Sequence, residues 1–163
     1  MKQLRIEEIP LKKTCAFTGH RVLEKDFSEK KLKNAIKSLL DNEVFTYYNG
    51  MAIGFDLLAA EILLSFKDKY PQIKLVACIP CADQNRFYSI KDKKRYAEIL
   101  KQADEQVVLS ETYTKYCMHK RNRYMCDRAG YLITYCNKPI GGTAYTVEYF
   151  QKNNPYGEVI KVN

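Results

Sequence analysis

Short apolar runs rich in β-branched and aromatic residues alternate along this chain with longer segments whose apolar positions recur every three to four residues. The runs predict strands near Thr14–Phe17, Val44–Tyr48, Lys74–Ile79, Gln106–Leu109, Tyr131–Tyr135 and Val159–Val162. The periodic segments predict helices near Ser28–Asp41, Phe55–Lys69, Ser89–Ala103, Tyr116–Arg128 and Thr143–Asn153. Such alternation predicts an α/β fold, with a mostly parallel sheet of about six strands between two helical layers. The 163 residues read as one domain, with residues 1–12 as a short charged lead-in. In the second predicted helix, Glu61, Ser65 and Asp68 share one narrow polar stripe and the remainder is apolar. That helix therefore needs cover from the sheet and from a second layer, for which a homodimer contact through residues 55–69 is one candidate.

Three predicted strands end in glycine turns. They are Thr18-Gly19-His20-Arg21, Asn49-Gly50-Met51-Ala52-Ile53-Gly54-Phe55-Asp56 and Gly141-Gly142-Thr143. Glycine lets backbone amides approach a ligand closely, and a helix start behind it offers unpaired N–H groups and a partial positive charge. Ligands of parallel sheets bind at the carboxyl ends of the strands, so the three turns are expected to form one cradle for an anionic, nucleotide-like molecule. In this reading Gly19, His20, Gly50, Gly54 and Gly141 to Thr143 present amides to phosphate. Arg21 and Arg121 neutralise its charge, and Asp56 accepts hydrogen bonds from a ribose hydroxyl or a base amino group. The plainer alternative is that the glycines only permit tight turns and Asp56 caps its helix.

The formal net charge is +8, but much of it is Lys beside Glu or Asp on predicted helix surfaces. No groove of interleaved basic and aromatic residues stands out along the chain, so nucleic acid is not expected as a partner. No apolar run approaches the roughly 20 residues that span a bilayer, and the N-terminus lacks a signal-peptide segment, so a cytoplasmic protein with no membrane contact is expected. Six cysteines then read as thiols, with Cys15, Cys78 and Cys136 as buried hydrophobes. Cys78-Ile79-Pro80-Cys81 has Cys-x-x-Cys spacing, but there is no second such pair and there are only two histidines. No metal and no cofactor are expected. Neither a Walker A loop nor Gly-x-Gly-x-x-Gly is present. Cys117, Arg121, Met125 and Arg128 fall on one face of a basic helix, where the arginines need an anionic partner. Glu148, one to two turns behind Gly141-Gly142, is either a surface residue or a catalytic carboxylate.

Taken in order, several motifs resemble those of the bacterial YpsA-like proteins of the SLOG superfamily, which also holds the LOG phosphoribohydrolases and the DNA-processing protein DprA. They are Thr18-Gly19-His20-Arg21, Gly50-Met51-Ala52 with Gly54 and Asp56, Ile79-Pro80 with Gln84, Lys120 to Arg123 with Met125 and Asp127-Arg128, and Gly141 to Val147. The resemblance runs from about residue 13 to residue 152. It implies a Rossmann-like three-layer domain that binds a nucleotide-derived ligand such as ADP-ribose, an NAD-related molecule or a nucleotide sugar, with sensing as one role. On its motifs, the ligand-binding set adds Met51, Gln84 and Arg128. A LOG-like N-glycosidic hydrolase, with Arg121 and Glu148 as its catalytic pair, is the alternative. Against it, the later glycine of the LOG turn is missing, Ile140 separates Pro139 from Gly141, and Asn122 follows Arg121. DprA-like binding of single-stranded DNA is a further alternative.

Overall fold

The computed structural model describes residues 13–163, and the lead-in at 1–12, with the signal-peptide reading made from it, lies outside the described residues. The elements run β1 (Thr14–Gly19), α1 (Glu29–Asp41), β2 (Thr46–Asn49), α2 (Phe55–Ser65), β3 (Lys74–Ile79), α3 (Ile90–Gln102), β4 (Glu105–Val108), α4 (Cys117–Arg128), β5 (Tyr131–Tyr135), α5 (Gly142–Asn153) and β6 (Glu158–Lys161). The strands form one sheet in the order β4-β3-β2-β1-β5-β6. Every pair is parallel. No helix among the described residues is long and apolar enough to cross a membrane.

Both faces of the sheet are buried, which is why the central strands read as continuous apolar runs rather than alternating ones. Cys15 and Phe17 of β1, Leu75, Ala77 and Ile79 of β3, and Ile133 and Tyr135 of β5 point into the core beneath α1, α2 and α3. Their neighbours Ala16, Val76, Cys78 and Leu132 point the other way, against Met125 and Cys126 of α4 and Phe150 of α5. Helix α1 starts where the Ser28 hydroxyl accepts the Lys31 N–H at 3.1 Å. Its buried stripe is Leu32, Ile36, Leu39 and Leu40.

Several boundaries differ from the sequence expectation for local reasons. Val44 belongs to the core but not to β2, because Glu43 takes φ 65° and the Val44 N–H bonds back to the Leu39 carbonyl. The second helix stops at Ser65, after which Lys67 and Lys69 donate three residues back in successive tight turns. Cys136, expected to be buried, is half-buried past the end of β5. The cover expected over α2 comes from within the chain: Arg95 of α3 holds Glu61 of α2 through Nε at 3.1 and 3.2 Å.

Topology sets the position of the site. Strands β1 and β5 are neighbours in register, with Gly19 opposite Tyr135, yet the chain leaves them toward opposite faces of the sheet. A crevice opens at their carboxyl ends, the usual ligand position in such sheets. The connection from edge strand β4 to β5 carries α4 across the face of the sheet, against β3 and β1. This brings α4 to the β2 loop some seventy residues earlier.

Gly54 closes the junction between the first two loops. Its φ is 78°, and a Cβ there would lie 2.2 Å from the Arg21 carbonyl oxygen. Gly142 has nothing within 4 Å of an added Cβ. Gly54→Ala is therefore expected to lower unfolding free energy by roughly 2–4 kcal/mol, against about 0.5 kcal/mol or less for Gly142→Ala. Urea denaturation of the two variants beside the parent checks this, and equal losses would refute it.

Candidate functional site

The crevice holds a cavity of about 350 Å³. Its walls come from Gly19, His20 and Arg21 after β1, Ala52 and Asp56 at the start of α2, Arg121 of α4, and Gly141 to Thr143 at the start of α5. Helices α1 and α3 begin with serine hydroxyls that cap their free amides. Helix α5 begins at Gly141 with no side-chain cap, and its first turn faces the cavity. Its leading N–H groups and the positive end of its dipole are thus presented to whatever sits there.

The loop after β1 is held firmly. Tyr135 donates its hydroxyl to Asp26 at 2.6 Å and accepts the Glu24 N–H at 3.2 Å. Phe27 packs edge-on against Tyr135 and Phe55. His20 accepts the Asn137 N–H on Nε2 at 3.1 Å, which leaves Nδ1–H as its donor. Burial, followed by the charge of Lys138, lowers the His20 pKa and keeps the ring neutral at pH 7.

Beneath the cavity lies a buried polar knot. Arg121 is 5% exposed, donates through Nη1 to the Gly50 carbonyl and through Nε to Asn122 Oδ1 at 2.7 Å. The same carbonyl accepts Gln84 Nε2 at 2.9 Å. Gly50 is wedged in this knot: a Cβ would lie 2.7 Å from Arg121 Nη1 and 2.9 Å from Asp56 Oδ2. Asn49 braces the turn by donating to the Asp56 carbonyl at 2.8 Å and accepting the Met51 N–H at 2.8 Å. Asp56 is 4% exposed; its Oδ2 accepts the Ala52 N–H at 3.2 Å and its buried Oδ1 has no partner among the described residues. Burial raises the Asp56 pKa to about 6, against the opposing pull of Arg121, the Ala52 N–H and Arg21. At pH 7 it is largely ionised, an acceptor with one oxygen unused.

The structure therefore sorts the residues picked out in the sequence. Gly19, His20, Arg21, Asp56, Arg121, Gly141, Gly142 and Thr143 share one cavity. Gly50 and Met51 lie behind it: the Gly50 carbonyl accepts from Arg121, and the Met51 side chain is core; Gln84 donates to the same carbonyl and lines an adjoining cavity with Arg21 and Met118. Gly54 meets the Arg21 backbone rather than the cavity. Arg128 is at the far end of α4, exposed, with its guanidinium 3.5 Å over the Tyr124 ring. Glu148 is exposed and lines an adjoining groove with His119 and Tyr145, not the cavity that Arg121 reaches. Arg121 hydrogen-bonds a carbonyl and an amide oxygen, and the anion that the sequence reading asked for is the neighbouring Asp56 carboxylate, which it stabilises through charge. Lys138, Thr18, Met118 and Asn122 also line the cavity and went unnoticed as site residues. For Lys138 the available signal was a cation between a strand end and a glycine turn.

A pH dependence follows from Asp56. The folded carboxyl keeps its proton to a higher pH than the unfolded one, so folding takes up a proton between about pH 4 and 6. Raising the pH through that window opposes folding. Between pH 4 and 7 the parent should lose roughly 2 kcal/mol of stability relative to Asp56→Asn. Denaturant titrations of both proteins at the two pH values test this; parallel profiles would exclude it.

A family model described as the YspA SLOG family matches residues 18–159. Among curated relatives, the SPbeta prophage-derived protein YoqJ of Bacillus subtilis (strain 168) is 27% identical over 135 residues, covering 75% of this chain and 79% of that protein. The UPF0398 protein YpsA of the same strain is 24% identical over 153 residues, covering 86% of this chain and 85% of that protein. DNA processing protein A (DprA) from Streptococcus pneumoniae superposes with a TM-score of 0.65 at 24% identity. The match covers 90% of this chain and 48% of that one, so this chain spans about half its length. DNA processing protein A from Helicobacter pylori, whose structure concerns a single-stranded DNA binding mode, superposes with a TM-score of 0.62 at 19% identity, over 95% of this chain and 68% of that one. These likenesses show a shared fold. They also correct the expectation, drawn from dispersed charge, that nucleic acid is unsuitable as a partner, since a protein of this architecture binds it. By the span of the family match, the chain belongs to the YspA SLOG family.

Proposed function

We propose that the crevice between β1 and β5 binds the phosphate of a nucleotide-derived molecule. The observation that carries this reading is the convergence of an uncapped helix start, the Arg21 and Lys138 cations and the buried carboxylate of Asp56 on one cavity. Phosphate suits the N–H groups of α5 and the two exposed cations. The Asp56 carboxylate suits a hydroxyl or amino group on the rest of the ligand. Arg121 contributes a fixed positive charge in the wall, held in place by the two donors it commits to the Gly50 carbonyl and Asn122 Oδ1. ADP-ribose, NAD-related compounds and nucleotide sugars carry both kinds of group, and binding without turnover fits a sensor.

Isothermal titration against ADP-ribose, NAD and a nucleotide sugar tests this reading. Arg21→Ala, at an exposed position, should weaken binding by about 10–100-fold. Gly142→Ala should weaken it by filling space on the cavity wall while leaving thermal stability unchanged. A folded protein that binds none of the three ligands would end the proposal.

A second reading, single-stranded DNA as the phosphate source, is favoured by the fold shared with the Helicobacter pylori protein and by the net charge of +8. It predicts that affinity for a labelled oligonucleotide falls steeply with salt, with a log–log slope of about −0.7 for each phosphate neutralised. Anisotropy titrations across a salt series measure that slope, and a flat response would remove this reading.

A further inference from the structure

Beside the phosphate crevice lies a second cavity of about 320 Å³ at the same edge of the sheet. Arg21, Ala52 and Met118 line both, so the two are compartments of one cleft. Their chemistry differs. The first is walled by glycine backbone, cations and Asp56. The second is walled by Phe87 and Tyr113 with Arg86 between them. The Arg86 guanidinium carbon lies 4.9 Å from the Phe87 ring centroid and 5.7 Å from that of Tyr113. Asp83, three residues earlier in the same loop, accepts from that guanidinium.

Phe87 is 87% exposed and Tyr113 54% exposed, which is a large apolar area to leave at the mouth of a polar cleft. A single exposed ring would call for no explanation. Here the loop that carries Phe87 is anchored on both sides. Ala82 N–H bonds to the Ser110 carbonyl at 3.1 Å, joining the two loops that supply the rings. Gln84 reaches the Gly50 carbonyl at 2.9 Å and accepts the Tyr96 hydroxyl at 3.1 Å. The Tyr88 hydroxyl donates to the Met51 carbonyl at 3.0 Å. Anchored neighbours fix the backbone from which the Phe87 ring projects, and Arg86 packs on that ring.

We infer that Phe87, Tyr113 and Arg86 form a stacking subsite for the nucleobase of the molecule whose phosphate occupies the neighbouring crevice; this rests on the phosphate reading above. A cleft with cations and helix amides at one end and rings with a guanidinium at the other matches a molecule that carries phosphate at one end and a flat aromatic base at the other. Rings supply stacking that every base accepts, and Arg86 adds a cation with hydrogen-bond donors for the base edge. The base is attached either to a free nucleotide or to a single strand, and the subsite chemistry is the same for both.

The chain contains no tryptophan, so Phe87→Trp introduces a sole indole at the subsite. Its emission is followed on addition of adenosine, ADP, ribose 5-phosphate and oligodeoxythymidylate. In parallel, the Phe87→Ala/Tyr113→Ala double variant is titrated calorimetrically with ADP and ribose 5-phosphate, after thermal melting confirms that it is folded. The subsite requires quenching by base-bearing probes and not by ribose 5-phosphate. It also requires about a tenfold or greater loss of ADP affinity in the double variant, with ribose 5-phosphate affinity unchanged. Tighter binding and stronger quenching by the oligonucleotide than by ADP assigns the base to a strand, and the reverse assigns it to a free nucleotide. Quenching by adenosine that phosphate does not enhance supports the subsite and defeats the phosphate crevice. Binding of ribose 5-phosphate to which a base adds nothing leaves the crevice standing and overturns the subsite. Absence of quenching by every base-bearing probe also overturns it.

Discussion

The contact between the Arg121 guanidinium and the Gly50 carbonyl joins the parts on which the site depends. A guanidinium cannot shed its proton, so once buried it must be solvated by protein dipoles or cost several kcal/mol. Here the dipoles come from Gly50, Asn122 and, more weakly, Met118 Sδ at 3.8 Å. Because Gln84 donates to the same carbonyl, helix α4, the loop after β2 and the loop after β3 meet at one oxygen. A side chain at residue 50 would enter the space that the guanidinium and the Asp56 carboxylate already fill. The glycine there serves a protein–protein contact inside the fold, one layer behind the ligand.

That arrangement divides the electrostatics of the cleft into a floor and a rim. In the floor, Arg121 opposes the burial penalty that raises the Asp56 pKa to about 6, and the carboxylate in turn offsets the buried cation. At the rim, Arg21, Lys138 and the start of α5 remain positive, while His20 is held neutral by burial and by Lys138. Lys138 is partly offset by Glu24 at 3.8 Å, a weak restraint at that exposure. The cavity thus favours anions at its lip and accepts a hydrogen-bond donor at depth. A plain anion trap would not need the ionisable acceptor.

Much of this was legible in the chain. Apolar runs bounded by glycine, proline and polar residues located the strands, and β3 and β5 have the predicted limits. The three turns were read as meeting at one rim, and residues from all three segments do line the cavity. What remained hidden was depth. Nothing in the local pattern separates Gly142, with open space before it, from Gly50, packed against a guanidinium, since that difference is made by α4 crossing from another part of the sequence. Arg128 shares a helix face with Arg121 yet sits at the other end of the helix, and a 12-residue helix is long enough to carry it from the carboxyl to the amino edge of the sheet. The aromatic subsite was invisible for the same reason. Phe87 and Tyr113 come from different loops, so no basic and aromatic interleaving appears along the chain, and only the fold places Arg86 between them.

The two ends of the cleft also bear on how one architecture serves different nucleotide chemistries. The sheet and its crossing helix are occupied with burying charge and apolar surface, and they leave little room to vary. The loops that make the rim also feed the knot beneath, through the Gly50 carbonyl and Gln84, while Arg21 and Lys138 stay exposed at its edge. At one end this chain closes the cavity with glycine backbone and a helix start. At the aromatic end Phe87 and Tyr113 are the exposed part of the cavity wall. A base stacked there keeps its outward edge and its flanking positions in water. That geometry admits a free nucleotide and a nucleotide within a strand alike, and choosing between them falls to the exposed cations around the lip, which a strand engages repeatedly and a free nucleotide engages once.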